Sequence, residues 1–351
     1  MTESSPLAQD LDYVLERTRD FWEELRGKRV LITGGTGFFG CWLLESFLWA
    51  NRQLGLRAEA VVLSRNPEAF SKKLPHLAMA PEVRWLKGDV RTFSAENVSV
   101  SHVIHAATDV DPARRQQAEG QLYESIVSGT EHALDVSKLC GAEKFLYISS
   151  GAVYRRDGAG GGAFSEACDT SSEAGAEQQN PYAEGKRAAE RLCLERSEAC
   201  GLELKIARCF AFLGPYLPLD GGFAVTDFLR SALGGQALKI SGNKKVLRSY
   251  LYGADLAVWL WTILFRGRAD YSYNVGSDQA IELLELAKLV ARVSGRNCEV
   301  LDVRSEAQMQ ELDSYWPSVE RARNELGLDE WLPLDEALRR TVEYYQGMCR
   351  P

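Results

Sequence analysis

The sequence predicts an α/β fold: a doubly wound parallel sheet followed by a smaller C-terminal α/β lobe. Three observations predict it. Short apolar runs alternate with stretches of helical period from about residue 28 to residue 212. A glycine-rich turn joins the first run to the first long helix of that region. After about Leu213 the alternation becomes irregular, as expected of a second lobe.

Taken in order, residues 9–26 are expected to form an amphipathic helix, since Leu11, Val14, Leu15, Phe21, Trp22 and Leu25 recur near helical spacing. Residues 30–33 form the first strand, and a helix runs from about 39 to 51. The runs 60–63, 83–86 and 103–106 are the second, third and fourth strands. Near-continuous apolar runs of this kind suit strands covered on both faces. Helical period returns over 116–140, a fifth strand covers 144–148, a helix covers 183–199 and a sixth strand covers 203–207. Between 155 and 180 the chain is rich in Gly, Ala, Ser and acidic residues, with Gly160, Gly161 and Gly162 in sequence. A loop of that length in a compact domain is expected to be functional. The C-terminal lobe is expected to hold short strands at 238–240 and 250–252 and helices at 254–265, 282–294 and 334–346.

Composition narrows the function classes. The 351 residues include 41 Lys and Arg against 49 Asp and Glu, a net charge of −8. A general nucleic-acid binder needs a basic excess to neutralise phosphates, so that class is set aside. The eight cysteines contain no C-x-x-C pair, and the four histidines are not placed with them at zinc spacing. Reduced, packed thiols and no bound metal are expected. Residues 1–10 lack the basic and apolar regions of a signal peptide. The richest apolar stretch, 256–265, is about half the ~20 residues a membrane span requires. A cytoplasmic protein without a membrane partner is the expectation.

The chemistry starts at the glycine turn. Gly34, Gly37 and Gly40 stand at G-x-x-G-x-x-G spacing between a strand and a helix, with Thr36, Phe38 and Phe39 completing the turn. Missing side chains let the backbone approach a pyrophosphate, and a helix N-terminus offers it N–H groups and partial positive charge. The second strand ends in Ser64-Arg65 rather than in a carboxylate. A ribose 2′-hydroxyl is ordinarily met there by an acid, and a 2′-phosphate by an arginine. NADP(H) is therefore expected as cofactor, with NAD(H) as the alternative. Asp89 and Val90 after the third strand, and Ala106, Ala107 and Thr108 after the fourth, are placed beside the adenine, ribose and phosphates. On this basis 28–212 is the dinucleotide-binding domain, 1–27 a helical extension before it, and 213–351 the main part of the substrate lobe.

Tyr182 and Lys186 form the second feature. At i and i+4 they share one helix face. A free phenol has a pKa of about 10 and is a poor base at neutral pH. A neighbouring ammonium stabilises the phenolate and lowers that value. Ser149 and Ser150 close the fifth strand upstream, so a hydroxyl stands at the carboxyl edge of the sheet. Ser150, Tyr182 and Lys186 make a proton-transfer unit suited to work beside a nicotinamide.

With these residues the chain resembles the extended short-chain dehydrogenase/reductase family, in its NAD-dependent nucleotide-sugar epimerase/dehydratase branch. The resemblance runs from about 28 to 346. It is carried by the glycine turn, HAAT at 105–108, ISSGAVY at 148–154, PYAEGK at 181–186, RSYLYGADLA at 248–257 and YNVGS at 273–277. It implies a Rossmann-type domain, a nucleoside-diphosphate sugar substrate, and Ser150, Tyr182 and Lys186 as catalytic residues, with Ser149 and Ser150 beside the substrate. Arg248 matches the family's arginine on the substrate diphosphate, and Arg304 is a second candidate. A homodimer is the expected assembly. In dehydratase relatives the two positions after the serine hold Asp and Glu, and in decarboxylases the second holds Glu. Here they are Gly151 and Ala152, which move no proton. The reserve source of an acid is the 155–180 loop, with Asp157, Glu166, Asp169, Glu173 and Glu177. Two further departures are Ile126 and Ala211, where the family carries asparagines. The expected activity is one hydride and one proton at a sugar carbon: a 4-ketoreductase consuming NADPH, or alternatively a 4-epimerase holding NAD. A non-catalytic dinucleotide-binding protein is the reading from another class, and the intact Ser–Tyr–Lys set argues against it.

Overall fold

The computed structural model describes residues 7–348, except 97, 109–118, 156–162, 169, 172–179, 241–242, 244 and 304–313. Seven strands make one sheet: β1 (Arg29–Thr33), β2 (Glu59–Ser64), β3 (Val83–Lys87), β4 (His102–His105), β5 (Lys144–Ser150), β6 (Glu203–Cys209) and, later in the chain, β11 (Tyr271–Val275). Their spatial order is β11-β6-β5-β4-β1-β2-β3. The pairs β1–β2, β1–β4, β2–β3, β4–β5 and β5–β6 are all parallel, so the carboxyl ends of six strands lie along one edge. The order reverses between β1 and β4, and ligands of open α/β sheets bind outside the carboxyl ends at such a point. This is a Rossmann-type sheet, as the alternation of apolar runs predicts.

The helices are α1 (Ala8–Thr18), α2 (Phe38–Leu54), α3 (Pro67–Lys73), α4 (Pro75–Ala78), α5 (Glu119–Leu139), α6 (Pro181–Cys200), α7 (Ala224–Leu233), α8 (Gly253–Arg266), α9 (Leu283–Val293), α10 (Glu320–Leu326) and α11 (Leu334–Met348). Local chemistry sets several starts. Asn66 accepts the Ala69 N–H and Pro67 occupies the first turn of α3; Asn180 accepts the Tyr182 N–H and Pro181 opens α6. The helix expected over 9–26 differs from the structure, which has α1 and then a 3-10 segment at Arg19–Leu25. Thr18 explains the change: its hydroxyl donates to the Val14 carbonyl and accepts the Trp22 indole N–H. The three-residue period of this segment brings Trp22 and Leu25 to one side, both fully buried.

The chain divides into two compact units. The first comprises Met1–Arg155, Asp169–Cys209 and Ala257–Tyr273. Its centre is the sheet, where Val30, Leu31, Ile32, Val61, Val62, Val103, Ile104, Phe145 and Leu146 have no exposed surface. Each such aliphatic side chain contributes roughly 1.5–3 kcal/mol. The N-terminal segment belongs to this unit: Phe21 stacks on Phe265 at 4.6 Å, Trp22 lies 4.8 Å from Trp261, and Trp261 donates to Ser46 at 2.8 Å.

The second unit comprises Arg156–Cys168, Phe210–Leu256 and Asn274–Pro351. Three small sheets organise it: β7 (Phe212–Leu213) with β10 (Leu251–Tyr252), β8 (Leu238–Ile240) with β13 (Val300–Asp302), and β9 (Leu247–Arg248) with β12 (Ile281–Glu282). The first two are parallel and the third is antiparallel. Asn274 is buried and ties the unit together, donating through its amide to the carbonyls of Phe164 and Ser318 and through its backbone to Glu166.

Candidate active site

The glycine turn is built by close approach. Gly34 has φ +73°, and a Cβ there would stand 2.6 Å from the Ala106 carbonyl oxygen. A Cβ on Gly40 would stand 2.3 Å from the Gly35 backbone, so the first turn of α2 rests directly on the end of β1. Gly37 is the N-cap, and the Cys41 N–H reaches its carbonyl at 2.9 Å. The N–H groups of Phe38, Phe39 and Gly40 therefore belong to the open first turn of a helix. This cradle, which side chains would fill, suits a dinucleotide pyrophosphate.

The other cofactor candidates stand on the same sheet edge. Ala106, Ala107 and Thr108 follow β4; the Ala107 N–H donates to the Thr33 hydroxyl at 3.1 Å, joining the ends of β1 and β4. Ser64 ends β2, is largely buried, and accepts the Asn66 N–H at 3.2 Å. Asp89 follows β3, next to Val90, and pairs with Arg91 at 2.8 Å. Arg91 holds the Asp89 carboxyl below its usual range, and the charge of Arg65 adds to this more weakly. The Arg65 guanidinium thus shares its surroundings with a carboxylate.

The catalytic candidates gather on β5 and α6. Lys186 is buried. Its Nζ donates to the Thr108 hydroxyl and the Ile148 carbonyl, each at 2.8 Å, and lies 5.9 Å from the centre of the Tyr182 ring. Burial pushes its pKa down to about 8, so it remains an ammonium at neutral pH. Ser150 is the last residue of β5, and its hydroxyl accepts the Ala152 N–H at 3.2 Å. Gly151–Val153 turn away as a short 3-10 segment.

The two serines diverge, because successive strand residues face opposite ways. Ser149 donates to Glu190 at 2.5 Å, and Glu190 holds Arg208 at 2.7 Å. Arg208 donates in turn to the Tyr154 hydroxyl at 3.1 Å. Ser149, expected beside substrate, is part of this buried network.

Sequence reasoning missed a second group. His105 is fully enclosed between Thr33, at 2.8 Å from Nδ1, and Thr130, at 3.1 Å from Nε2. The Thr130 hydroxyl donates to the Ile126 carbonyl, so it accepts from Nε2–H, and Nδ1 accepts from Thr33. Burial pushes the imidazole down to about 3 and keeps it neutral. Its only sequence signal is the HAAT string. Tyr147, whose ring stacks on His105 at 5.8 Å, has no signal beyond an apolar run.

Arg248 lies on β9 in the second unit and donates to the Leu247 carbonyl at 2.9 Å. Arg304, Asp157, Asp169, Glu173 and Glu177 lie outside the described residues. Glu166, the loop acid that is described, accepts the Asn274 N–H at 2.8 Å. Ile126 has a packing role: a Cβ on Gly185 would come within 3.0 Å of it, so α5 and α6 meet closely beside Lys186. The Ala211 carbonyl accepts the Leu251 N–H at 3.0 Å, within the second unit.

A parallel Rossmann-type sheet with a glycine cradle at its switch point and a Tyr–Lys pair at its edge defines a dinucleotide-dependent enzyme. Residues 30–276 match the NAD dependent epimerase/dehydratase family, and the chain belongs to it, within the nucleotide-sugar branch of the extended short-chain dehydrogenases/reductases. UDP-glucuronic acid decarboxylase 1 of Xenopus tropicalis is 26% identical over 332 residues, covering 93% of this chain and 74% of that protein. The solved structure of DesIV, a dTDP-glucose 4,6-dehydratase from Streptomyces venezuelae with NAD and TYD bound, has TM-score 0.75 at 24% identity, covering 91% of this chain and 97% of that one. The UDP-glucuronic acid 4-epimerase from Bacillus cereus in complex with NAD has TM-score 0.75 at 18% identity, covering 92% and 100%. Among the described residues no helix is long and apolar enough to cross a membrane.

One expectation is corrected. Ser64 and Arg65 pointed to NADP(H), but both of these solved relatives carry NAD, as does WbmF of Bordetella bronchiseptica. The structure supplies the physical reason. The Asp89 carboxylate stands close enough to Arg65 to feel its charge, so the guanidinium at the end of β2 already has a carboxylate of this chain in its surroundings.

Proposed function

We propose that this enzyme is a nucleoside-diphosphate-sugar 4-epimerase that keeps one NAD through successive turnovers. The observation that carries the reading is the short turn after Ser150. The strand ends at this serine and turns at once through Gly151 and Ala152, so these two positions bring no acid or base. One tyrosine can take one proton from a sugar hydroxyl and return one. Expelling water needs another acid and base, which dehydratases of this family carry at these two positions. Ala152 likewise replaces the decarboxylases' glutamate. The 4-ketoreductase, the first expectation from the sequence, rested on NADPH and loses its main argument with the cofactor correction. Similar solved structures include 4-epimerases, those from Bacillus cereus and Thermotoga maritima.

Gly34, Thr36, Gly37, Phe38, Phe39 and Gly40 would hold the pyrophosphate, and Ala106, Ala107 and Thr108 would border the ribose. Bound NAD supplies the acceptance and return of one hydride at the sugar carbon. Tyr182 takes the proton of the 4-hydroxyl and gives it back after the 4-keto sugar has presented its other face. Lys186, charged below about pH 8, stabilises the phenolate. Ser150 donates to the reacting oxygen. Arg248 supplies a guanidinium for the diphosphate, a bidentate task.

The test is incubation with UDP-glucose, UDP-glucuronic acid and dTDP-glucose without added cofactor, followed by proton NMR. Interconversion of C4 epimers, with NAD found in the purified protein, is the expected result. Tyr182→Phe should lower the rate by at least about 10²-fold while leaving NAD bound. Release of CO2, a 4-keto-6-deoxy product, or stoichiometric consumption of added NADPH would overturn the reading.

A further inference from the structure

We propose that Tyr147 is a positioning residue for Lys186: its ring, with the Thr108 hydroxyl and the Ile148 carbonyl, holds the ammonium where it promotes ionisation of Tyr182. The proposal rests on the reading of Tyr182 as the proton-transfer group. The geometry is a three-sided cradle. Two sides are the hydrogen bonds of 2.8 Å. The third is the Tyr147 ring, with Lys186 Nζ 4.9 Å from its centre. An ammonium within about 6 Å of a ring face is attracted by the ring quadrupole, most strongly where water is excluded. Lys186 and Tyr147 are both buried.

The ring, rather than the hydroxyl, is the operative part of Tyr147. Its hydroxyl is buried beside Thr130 but finds no partner at hydrogen-bonding geometry among the described residues. The ring itself is fixed. His105 stacks on it, and His105 is gripped by Thr33 and Thr130. Because His105 stays neutral, it does not compete as a second cation. The other titratable groups felt by Lys186 are Glu190 and Cys193 on α6 and Cys209 on β6. Glu190 is neutralised by Arg208, and burial keeps both thiols protonated. The cradle thus offsets part of the burial that weakens the ammonium. Tyr182 lies on the same helix as Lys186, its ring centre 5.9 Å from Nζ, so displacement of Nζ is felt by its phenol.

The experiment grades the ring quadrupole at constant shape. Tyr147→Phe is the reference, and the same position then carries mono-, di- and trifluorinated phenylalanine, which weaken the negative ring face stepwise. The first readout is the Lys186 titration in the NAD-bound protein, followed by NMR of 13Cε-labelled lysine and assigned with Lys186→Arg. The second is kcat, KM and the acid limb of the pH–rate profile. Across the series the Lys186 pKa should fall by about one pH unit, kcat at neutral pH should fall about tenfold, equivalent to about 1.4 kcal/mol, and KM should stay within about twofold. The acid limb should move to higher pH. A merely space-filling ring predicts no trend with fluorination, and a flat series overturns the proposal. Tyr147→Leu extends the series to no ring; if it fails to fold, the near-isosteric fluorinated set still decides. A trend in the lysine titration without epimerase turnover separates failure of the proposed reaction from failure of the cradle.

Discussion

Replacing Gly40 by alanine tests how the cofactor turn is built. The new Cβ would lie 2.3 Å from the Cα and carbonyl carbon of Gly35 and 2.4 Å from its oxygen. Ordinary contact begins at 3.4 Å, so the helix and strand must part by about 1 Å. Neither side can yield easily. Behind Gly35 the Val62 methyl stands 2.4 Å from where a Cβ would be, and Gly34 already abuts the Ala106 carbonyl. On the helix side Trp42, Leu43 and Phe47 are fully buried. Overpacking of this kind costs about 1–3 kcal/mol, and the rigid backbone contact puts Gly40→Ala at the upper end. At about 1–2 °C per kcal/mol for a chain of 351 residues, the melting temperature should fall by roughly 3–6 °C. Gly37→Ala is the contrast. Its Cβ would meet the Gly34 oxygen at 3.6 Å and nothing nearer, so stability should change by less than about 1 kcal/mol. A methyl there should still obstruct the backbone's approach to a pyrophosphate, weakening NAD at least about tenfold, equivalent to about 1.4 kcal/mol. Differential scanning calorimetry and NAD titration calorimetry read the two effects. A Gly40→Ala protein melting within about 2 °C of wild type would refute the packing argument. Wild-type NAD affinity in Gly37→Ala would remove the turn as the pyrophosphate site.

Glu190→Ala leaves the Arg208 guanidinium buried without its carboxylate and takes the acceptor from Ser149; urea unfolding should register a loss of about 3–5 kcal/mol, and a loss below about 1 kcal/mol would contradict the network. Two buried histidines, His102 and His105, pushed down from 6.5 to about 4 and about 3 by burial, make stability depend on pH, and Glu330, pushed up to about 7 by burial, contributes with the opposite sign. Below about pH 6.5 the unfolded chain takes up protons that the two folded rings refuse, so their contribution is whole above that pH and falls on acidification by about 1.4 kcal/mol per pH unit for each histidine. The fall should end near pH 4 for His102 and pH 3 for His105. Denaturation of wild type and His105→Asn at pH 7, 6 and 5 should show a stability difference that changes by about 1.4 kcal/mol per pH unit; parallel profiles for the two proteins would be incompatible with a buried neutral His105.

The part of the fold legible in the sequence was local and periodic. Strands expected at 60–63, 144–148 and 203–207 stand at Glu59–Ser64, Lys144–Ser150 and Glu203–Cys209, and the helix expected at 183–199 at Pro181–Cys200. A central strand must be apolar throughout and a surface helix on one stripe, so each declares itself within a few residues. The spacing of Tyr182 and Lys186 on one helix face comes from the same period. The short helices α3, α4, α7 and α10 went unread, because one to three turns offer too few repeats to separate from chance.

Tertiary structure alone decided the partners. Nothing in the local pattern pairs β11 with β6, sends Ser149 to Glu190 while Ser150 stays at the strand end, or brings Thr33, His105 and Thr130 into one hydrogen-bonded line. Ser64-Arg65 read locally as a phosphate site; Asp89, on the loop after the next strand, changes the charge there. Lys186 and Tyr147 are 39 positions apart, yet the packing of α6 on β5 sets one against the other. Periodicity encodes which face of an element is buried. Which residue meets that face depends on the order in which strands assemble, and that order is fixed only when the whole sheet closes around its core.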